Sequence, residues 1–136
     1  MKFLLAVERS AHSDKAVAEA GRLASAAGAE VVVAHQRNDT AADLGSTVPL
    51  PAGAEQAQSL VDSAVALVAA GVRSARGRVL RGLQGEEAQA ILKVAREEAD
   101  MIVVGPRGIG RLAGLLVGSV TNRSVQISDR PVLVVL

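Results

Sequence analysis

The chain contains no cysteine, tryptophan or tyrosine, and Phe3 is its single phenylalanine. The lack of cysteine excludes disulfides, thiolate nucleophiles and Cys-type metal sites. The near lack of aromatics removes ring stacking as a way to hold bases or flat ligands. Neither sign of charge dominates: 15 Lys and Arg face 14 Asp and Glu, a formal net charge of +1. Nothing in that balance draws the chain to nucleic acid or to an anionic membrane, and neither is expected as a partner. No His, Asp or Glu cluster has metal-ligand spacing. No apolar run approaches the roughly 20 residues that span a bilayer. Phe3–Val7 after Met1-Lys2 superficially suggests a leader, but the run is short and Glu8-Arg9 interrupts it. A soluble cytoplasmic protein is expected.

What remains is a chain of 136 residues that is 49% apolar, the size of one domain with its own core, expected to span 1–136. Strand-like and helix-like stretches alternate. Short apolar runs predict strands over 2–7, 30–35, 76–81, 100–104 and 132–135. Helical spacing of apolar residues predicts helices over 13–27, 54–70, 86–98 and 119–128. Ser13 is a plausible N-cap of the first helix and Gly28 its stop, while 37–52 reads as a loop. Strands that are apolar throughout, separated by amphipathic helices, imply a parallel sheet covered on both faces. The expected fold class is α/β: an open doubly wound five-stranded parallel sheet with four helices. Such folds bind ligands outside the C-terminal ends of the strands, at a topological switch point.

The most informative stretch lies at that kind of place. Residues 104–119 follow the fourth strand and contain Gly105, Gly108, Gly110, Gly114 and Gly118 before Ser119 opens the last helix. Glycine admits positive φ and lets backbone approach a ligand with no Cβ in the way. A glycine-rich loop ending at a helix N-terminus directs N–H groups at one spot where the helix dipole favours an anion. That is a phosphate cradle and suggests a nucleotide; the plainer alternative is a glycine-rich surface loop with Ser119 as an N-cap. It is not a Walker A loop, because no lysine follows Lys93. Nor is it the dinucleotide fingerprint, which follows the first strand.

The order Gly105, two residues, Gly108, nine residues, Gly118-Ser119 resembles the signature of the universal stress protein family. The flanks Asp100–Gly105, Gly118–Val120 and Pro131–Val135 match as well, as do Leu4–Val7, Ser10–Ala16 and a second strand ending in His35. The likeness covers essentially the whole chain. It implies a Rossmann-like fold of the adenine nucleotide alpha-hydrolase type. It further implies an adenine nucleotide in the crevice beside the first and fourth strands, ATP with Mg²⁺ held mainly by its phosphates, or AMP or cyclic AMP. Carried over residue by residue, the site comprises Ala6, Glu8 and Ser10 after the first strand, Gln36 facing adenine after the second, and Val104, Gly105, Arg107, Gly108, Gly118, Ser119 and Val120 at phosphate and ribose. Where the family typically has Asp-Gly-Ser, this chain has Glu8-Arg9-Ser10. Arg9 replaces a glycine that can take positive φ; it either brings a cation that favours phosphate or alters the turn so that the adenine slot narrows.

Other polar residues have plainer readings. His35 is expected as a satisfied structural histidine, His12 as surface, and Ser10 as a cap as readily as a ligand contact. Arg107 is balanced between clamping phosphate and solvation, and Arg111 reads as solvated. Glu86-Glu87 and Glu97-Glu98 read as solvated helix ends, and Asp129-Arg130-Pro131 as a turn. The expected function is an ATP-binding, dimeric stress-response module with slow or no hydrolysis, paired through the apolar C-terminal strand 131–136. The alternative is a dimeric interaction protein that binds no nucleotide.

Overall fold

The computed structural model describes residues 1–8, 11–39, 53–83, 85–105, 123 and 126–135. In chain order these form β1 (Lys2–Ala6), α1 (Ala11–Ala27), β2 (Glu30–Asp39), α2 (Ala54–Ala69), β3 (Ser74–Leu83), α3 (Glu87–Glu98), β4 (Met101–Val104) and β5 (Val132–Val134). All strand pairs are parallel, and the sheet order is β3-β2-β1-β4-β5. Among the described residues there are five strands and three helices. Of the expected helix over 119–128, Arg123, Gln126 and Ile127 have helical geometry and Ser128 does not; residues 119–122, 124 and 125 lie outside the described residues.

The two faces of the sheet follow from strand alternation. Phe3, Leu5, Val7, Val31, Val33 and Val103 point to one face, where they meet Ala16, Val17, Ala20 and Ala24 of α1 and Val61, Ala64 and Val68 of α2. Leu4, Ala6, Ala34, Leu80, Ile102 and Val104 point to the other, against Ile91, Leu92 and Ala95 of α3 and the partly buried Ile127. Both faces are dry, which is why these strands read as continuous apolar runs.

Helix α1 stops at Gly28 by a mechanism its sequence announces. Gly28 has φ of +62°, its N–H donates to the Ser25 carbonyl at 3.2 Å, and Ala29 N–H donates to the Ala24 carbonyl at 2.8 Å. That paired arrangement closes the last turn and needs left-handed backbone, which glycine adopts without strain. The other end of α1 corrects an expectation. Helical geometry begins at Ala11, so Ser13 is the third residue of the helix and not its cap. The position before Ala11 is Ser10, another capping residue type, outside the described residues.

β2 and β3 are longer than their apolar runs predict. They stay in register from Glu30↔Ser74 through Asp39↔Leu83. β1 pairs with β2 only as far as Ala6↔Ala34. The ladder therefore carries 37–39, expected as loop, into strand, and leaves the tips of β2 and β3 projecting as a two-stranded ribbon.

The N-terminal ends of the strands are tied by polar contacts. Lys2 N–H donates to Asp100 Oδ2 at 2.8 Å, and Lys2 Nζ lies 3.7 Å from Glu30. Glu98, expected on a solvated face, accepts from both Arg76 and Arg78 of β3. Arg96 Nε donates to Asp129 at 3.2 Å, while Arg130 donates to the Arg96 carbonyl at 3.1 Å near the end of α3, where a cation complements the helix dipole. On the exposed face of α1, the Arg22 guanidinium hydrogen-bonds Glu19 and holds that carboxyl below its ordinary range. Such exposed pairs add little to stability.

Candidate functional site

The C-terminal ends of the strands gather the candidate residues. The switch point lies between β1 and β4: the chain proceeds from β1 to β2 on one side and from β4 to β5 on the other. There Ala6 stands opposite Val104 and opposite Ala34. All three are buried and pack on the α3 face of the sheet, so this end of the three strands is set in the core. It is also fixed from both sides. Val7 N–H donates to the Ala34 carbonyl at 2.9 Å, and Val135 N–H donates to the Val104 carbonyl at 2.9 Å. The half-buried Glu8 leaves β1 at this end, and the half-buried Gly105 leaves β4 beside it.

β2 forms the next wall. His35, the second-strand histidine, places its Nδ1 2.9 Å from the Val7 carbonyl. With Nδ1 protonated it donates there, a tautomer set by the acceptor, because a carbonyl can only accept. The ring thus pins the exit of β1 one residue before Glu8, which is the structural role expected of it. Ala34 directs its carbonyl toward β1. Peptide groups alternate along a strand, so the peptide edge of Gln36, two residues on, faces the same side beyond the last β1 register pair. The Gln36 side chain turns to the α3 face and is 5% exposed. Its Nε2 donates to the Leu83 carbonyl at 3.0 Å. On the opposite face, Arg37 and Arg81 are register partners at the tips of β2 and β3, adding positive charge to this end of the sheet.

Of the predicted site residues, Ala6, Glu8, Gln36, Val104 and Gly105 come to this one end of the sheet. Ser10, Arg107, Gly108, Gly118, Ser119 and Val120 lie outside the described residues. Sequence reasoning missed Gly82 and Leu83, because β3 was expected to end at 81. Among the described residues, no group of three His, Asp or Glu could hold a metal ion, and no helix is long and apolar enough to cross a membrane.

Comparison with known proteins agrees with this fold. The model of the universal stress protein family matches residues 1–135. A universal stress protein of Thermus aquaticus is 36% identical over 97% of this chain and 96% of its own length. A universal stress protein crystallised in complex with cAMP has a TM-score of 0.76 and 27% identity, covering 99% of this chain and 95% of that one. A universal stress protein from Archaeoglobus fulgidus in complex with dAMP has a TM-score of 0.75 and 22% identity, covering 100% of this chain and 98% of that one.

Proposed function

The chain belongs to the universal stress protein family, and from that premise we propose that its crevice binds an adenine nucleotide, ATP with Mg²⁺ foremost and AMP or cyclic AMP as alternatives. The observation that carries the reading is the switch point between β1 and β4, where Glu8, the Gln36 peptide edge and Gly105 come to one end of the sheet. A relative 27% identical is complexed with cAMP. The fit is chemical as well as steric. A peptide edge offers adenine an acceptor and a donor, Glu8 offers a carboxylate to ribose hydroxyls, and the Gly105, Arg107, Gly108, Gly118, Ser119 and Val120 segment offers N–H groups to phosphates. Mg²⁺ would ride on the phosphates, neutralising their charge.

Binding, not turnover, is the proposed role. Rapid phosphoryl transfer calls for a positioned general base and, in the familiar nucleotide-hydrolysing and kinase sites, a lysine at the phosphates. The sequence has no lysine beyond Lys93, and His35 is engaged with a backbone carbonyl. The nucleotide then acts by stabilising one conformation that a partner reads. We further propose a cytoplasmic homodimer joined through 131–136. β5 is an edge strand whose Val132, Leu133 and Val134 remain half-exposed, and such an edge is an aggregation hazard unless paired. Light scattering at micromolar concentration is expected to give twice the chain mass; a monomer counts against the dimer.

The direct test is calorimetric titration with ATP and Mg²⁺, then AMP and cyclic AMP. Saturable heat near one ligand per chain is expected. At ligand 100-fold above Kd, native-state binding adds about 2.7 kcal/mol of stability, visible as a raised melting temperature. The second reading, an interaction protein without nucleotide, is favoured by Arg9 in place of the family's glycine. It predicts no heat and an unchanged melting temperature.

A further inference from the structure

We propose that the Gln36 side chain and Gly82 form a brace that makes the crevice select adenine over guanine. The inference rests on the nucleotide reading above and assigns base choice to two positioning residues. Gln36 is the one buried polar or charged side chain recorded among the described residues, at 5% exposure. A buried amide costs free energy unless it is hydrogen-bonded, and leucine or methionine would fill the same space without that cost. Its position indicates what the amide does. It sits where β2 outruns β1, at the ligand end of the sheet.

Gln36 stands opposite Leu80 in the ladder, yet its Nε2 reaches three residues further, to the Leu83 carbonyl. That carbonyl also accepts from Glu86 N–H at 3.1 Å in the turn leading to α3. One acceptor therefore joins β2, the tip of β3 and the start of α3. Among the described residues no third strand pairs with the ribbon of 36–39 and 80–83 on the β1 side, and two strands alone are marginally stable. The amide supplies the missing restraint.

Gly82 makes room for it. A Cβ built on Gly82 would lie 2.7 Å from Gln36 Oε1 and 2.8 Å from Cδ. The amide occupies the volume that any other residue at 82 would fill. Alanine there must push aside the far end of a flexible side chain, which breaks the Leu83 contact without forcing the backbone apart.

The consequence reaches the ligand through the Gln36 peptide edge. Adenine presents an amino donor where guanine presents the O6 acceptor. A backbone carbonyl held at one height accepts from the first and repels the second. When the ribbon is free to shift, the adenine contact weakens and the penalty against guanine relaxes.

The test measures ATP and GTP affinities, each with Mg²⁺, by calorimetry on the full chain. It compares the unmodified protein with Gln36→Met, Gly82→Ala, the double variant and Gly77→Ala. The unmodified protein is expected to prefer ATP. Gln36→Met and Gly82→Ala are each expected to weaken ATP about tenfold, the loss of one good hydrogen bond, and to narrow the ATP-to-GTP ratio to match. The double variant loses no more than either single one, because both remove the same brace. Gly77→Ala, on the same strand but the opposite face, is destabilised yet keeps the ratio. Unchanged preference in Gln36→Met and Gly82→Ala overturns the brace, as does equal narrowing in Gly77→Ala. An unmodified protein that binds neither nucleotide overturns the nucleotide reading and the brace with it.

Discussion

Gly77→Ala lowers the stability of the fold by about 3 kcal/mol, at the upper end of what a single overpacked methyl costs, and the melting temperature by roughly 10 °C. A Cβ at Gly77 would lie 2.2 Å from Val61 Cγ1 and 3.3 Å from Val65 Cγ2. Val61 is fully buried on α2, and a β-branched side chain in a helix has essentially one χ1 rotamer, so it cannot swing clear. The strain passes to the helix axis. α2 cannot retreat from β3 alone, because Val68 of the same helix is buried in one cluster with Ala20 and Ala24 of α1. Two helices and one face of the sheet must therefore repack. A double-mutant cycle isolates the clash: Val61→Ala alone opens a cavity and costs about 2 kcal/mol, but in the Gly77→Ala background it costs nothing further, a coupling of about 2 kcal/mol. Chemical denaturation of the four proteins checks this, and strictly additive losses would falsify it.

Gly77 also shows where the chain was hard to read. The stretch Arg76-Gly77-Arg78 breaks the apolar pattern of a buried strand, so the expected strand began at 76 and ended at 81. The structure continues it from Ser74 to Leu83 because ten register pairs with β2 hold it. The glycine is there for a helix that arrives from elsewhere in the chain. Periodicity reports which residues are buried along one element; it does not report which neighbour comes close. The runs Leu4–Val7, Val31–Ala34 and Met101–Val104 were legible for the opposite reason. They lie in the middle of the sheet, covered on both faces, and local composition alone identifies them.

The candidate site divides in the same way. Gly105 was legible because a glycine-rich loop after an apolar run marks the end of a strand, whereas Glu8 and Gln36 came only from the resemblance to the family, and the second strand runs on to Asp39. Gly82 and Leu83 were not legible, since a glycine two residues after Leu80 reads as the start of a turn. Their relation to Gln36 exists only once β2 and β3 are laid side by side. The two ends of the sheet also differ in kind. Lys2, Glu30, Arg76, Arg78, Arg96, Glu98, Asp100 and Asp129 satisfy one another at the N-terminal end. At the other end the named polar contacts go largely to backbone carbonyls, His35 to Val7 and Gln36 to Leu83. Side chains at the first end tie the strands to one another, and those at the second hold the ends of β1 and β3, where the proposed nucleotide site would lie.

Gly118→Val removes ATP binding altogether, to more than 100-fold weaker, while the melting temperature without ligand moves by no more than about 2 °C. Gly118 and Ser119 close the glycine signature and are proposed to meet the phosphates through backbone N–H groups. A branched side chain there obstructs a close approach that only glycine permits. Charge-assisted hydrogen bonds are worth about 1.5 to 3 kcal/mol each, so losing two exceeds a 100-fold change in affinity. The fold is expected to be spared because the cores among the described residues draw on α1, α2, α3 and Ile127. The informative comparison runs four proteins against ATP by thermal shift and calorimetry: unmodified, Gly118→Val, Arg9→Gly, and the two changes together. If the crevice binds as proposed, the unmodified protein and Arg9→Gly both respond, and either form carrying Gly118→Val does not. If only Arg9→Gly responds, Arg9 has closed the nucleotide site and the interaction-protein reading takes its place. If Gly118→Val still binds ATP, the phosphates are held by some other part of the chain and the glycine signature is not the cradle.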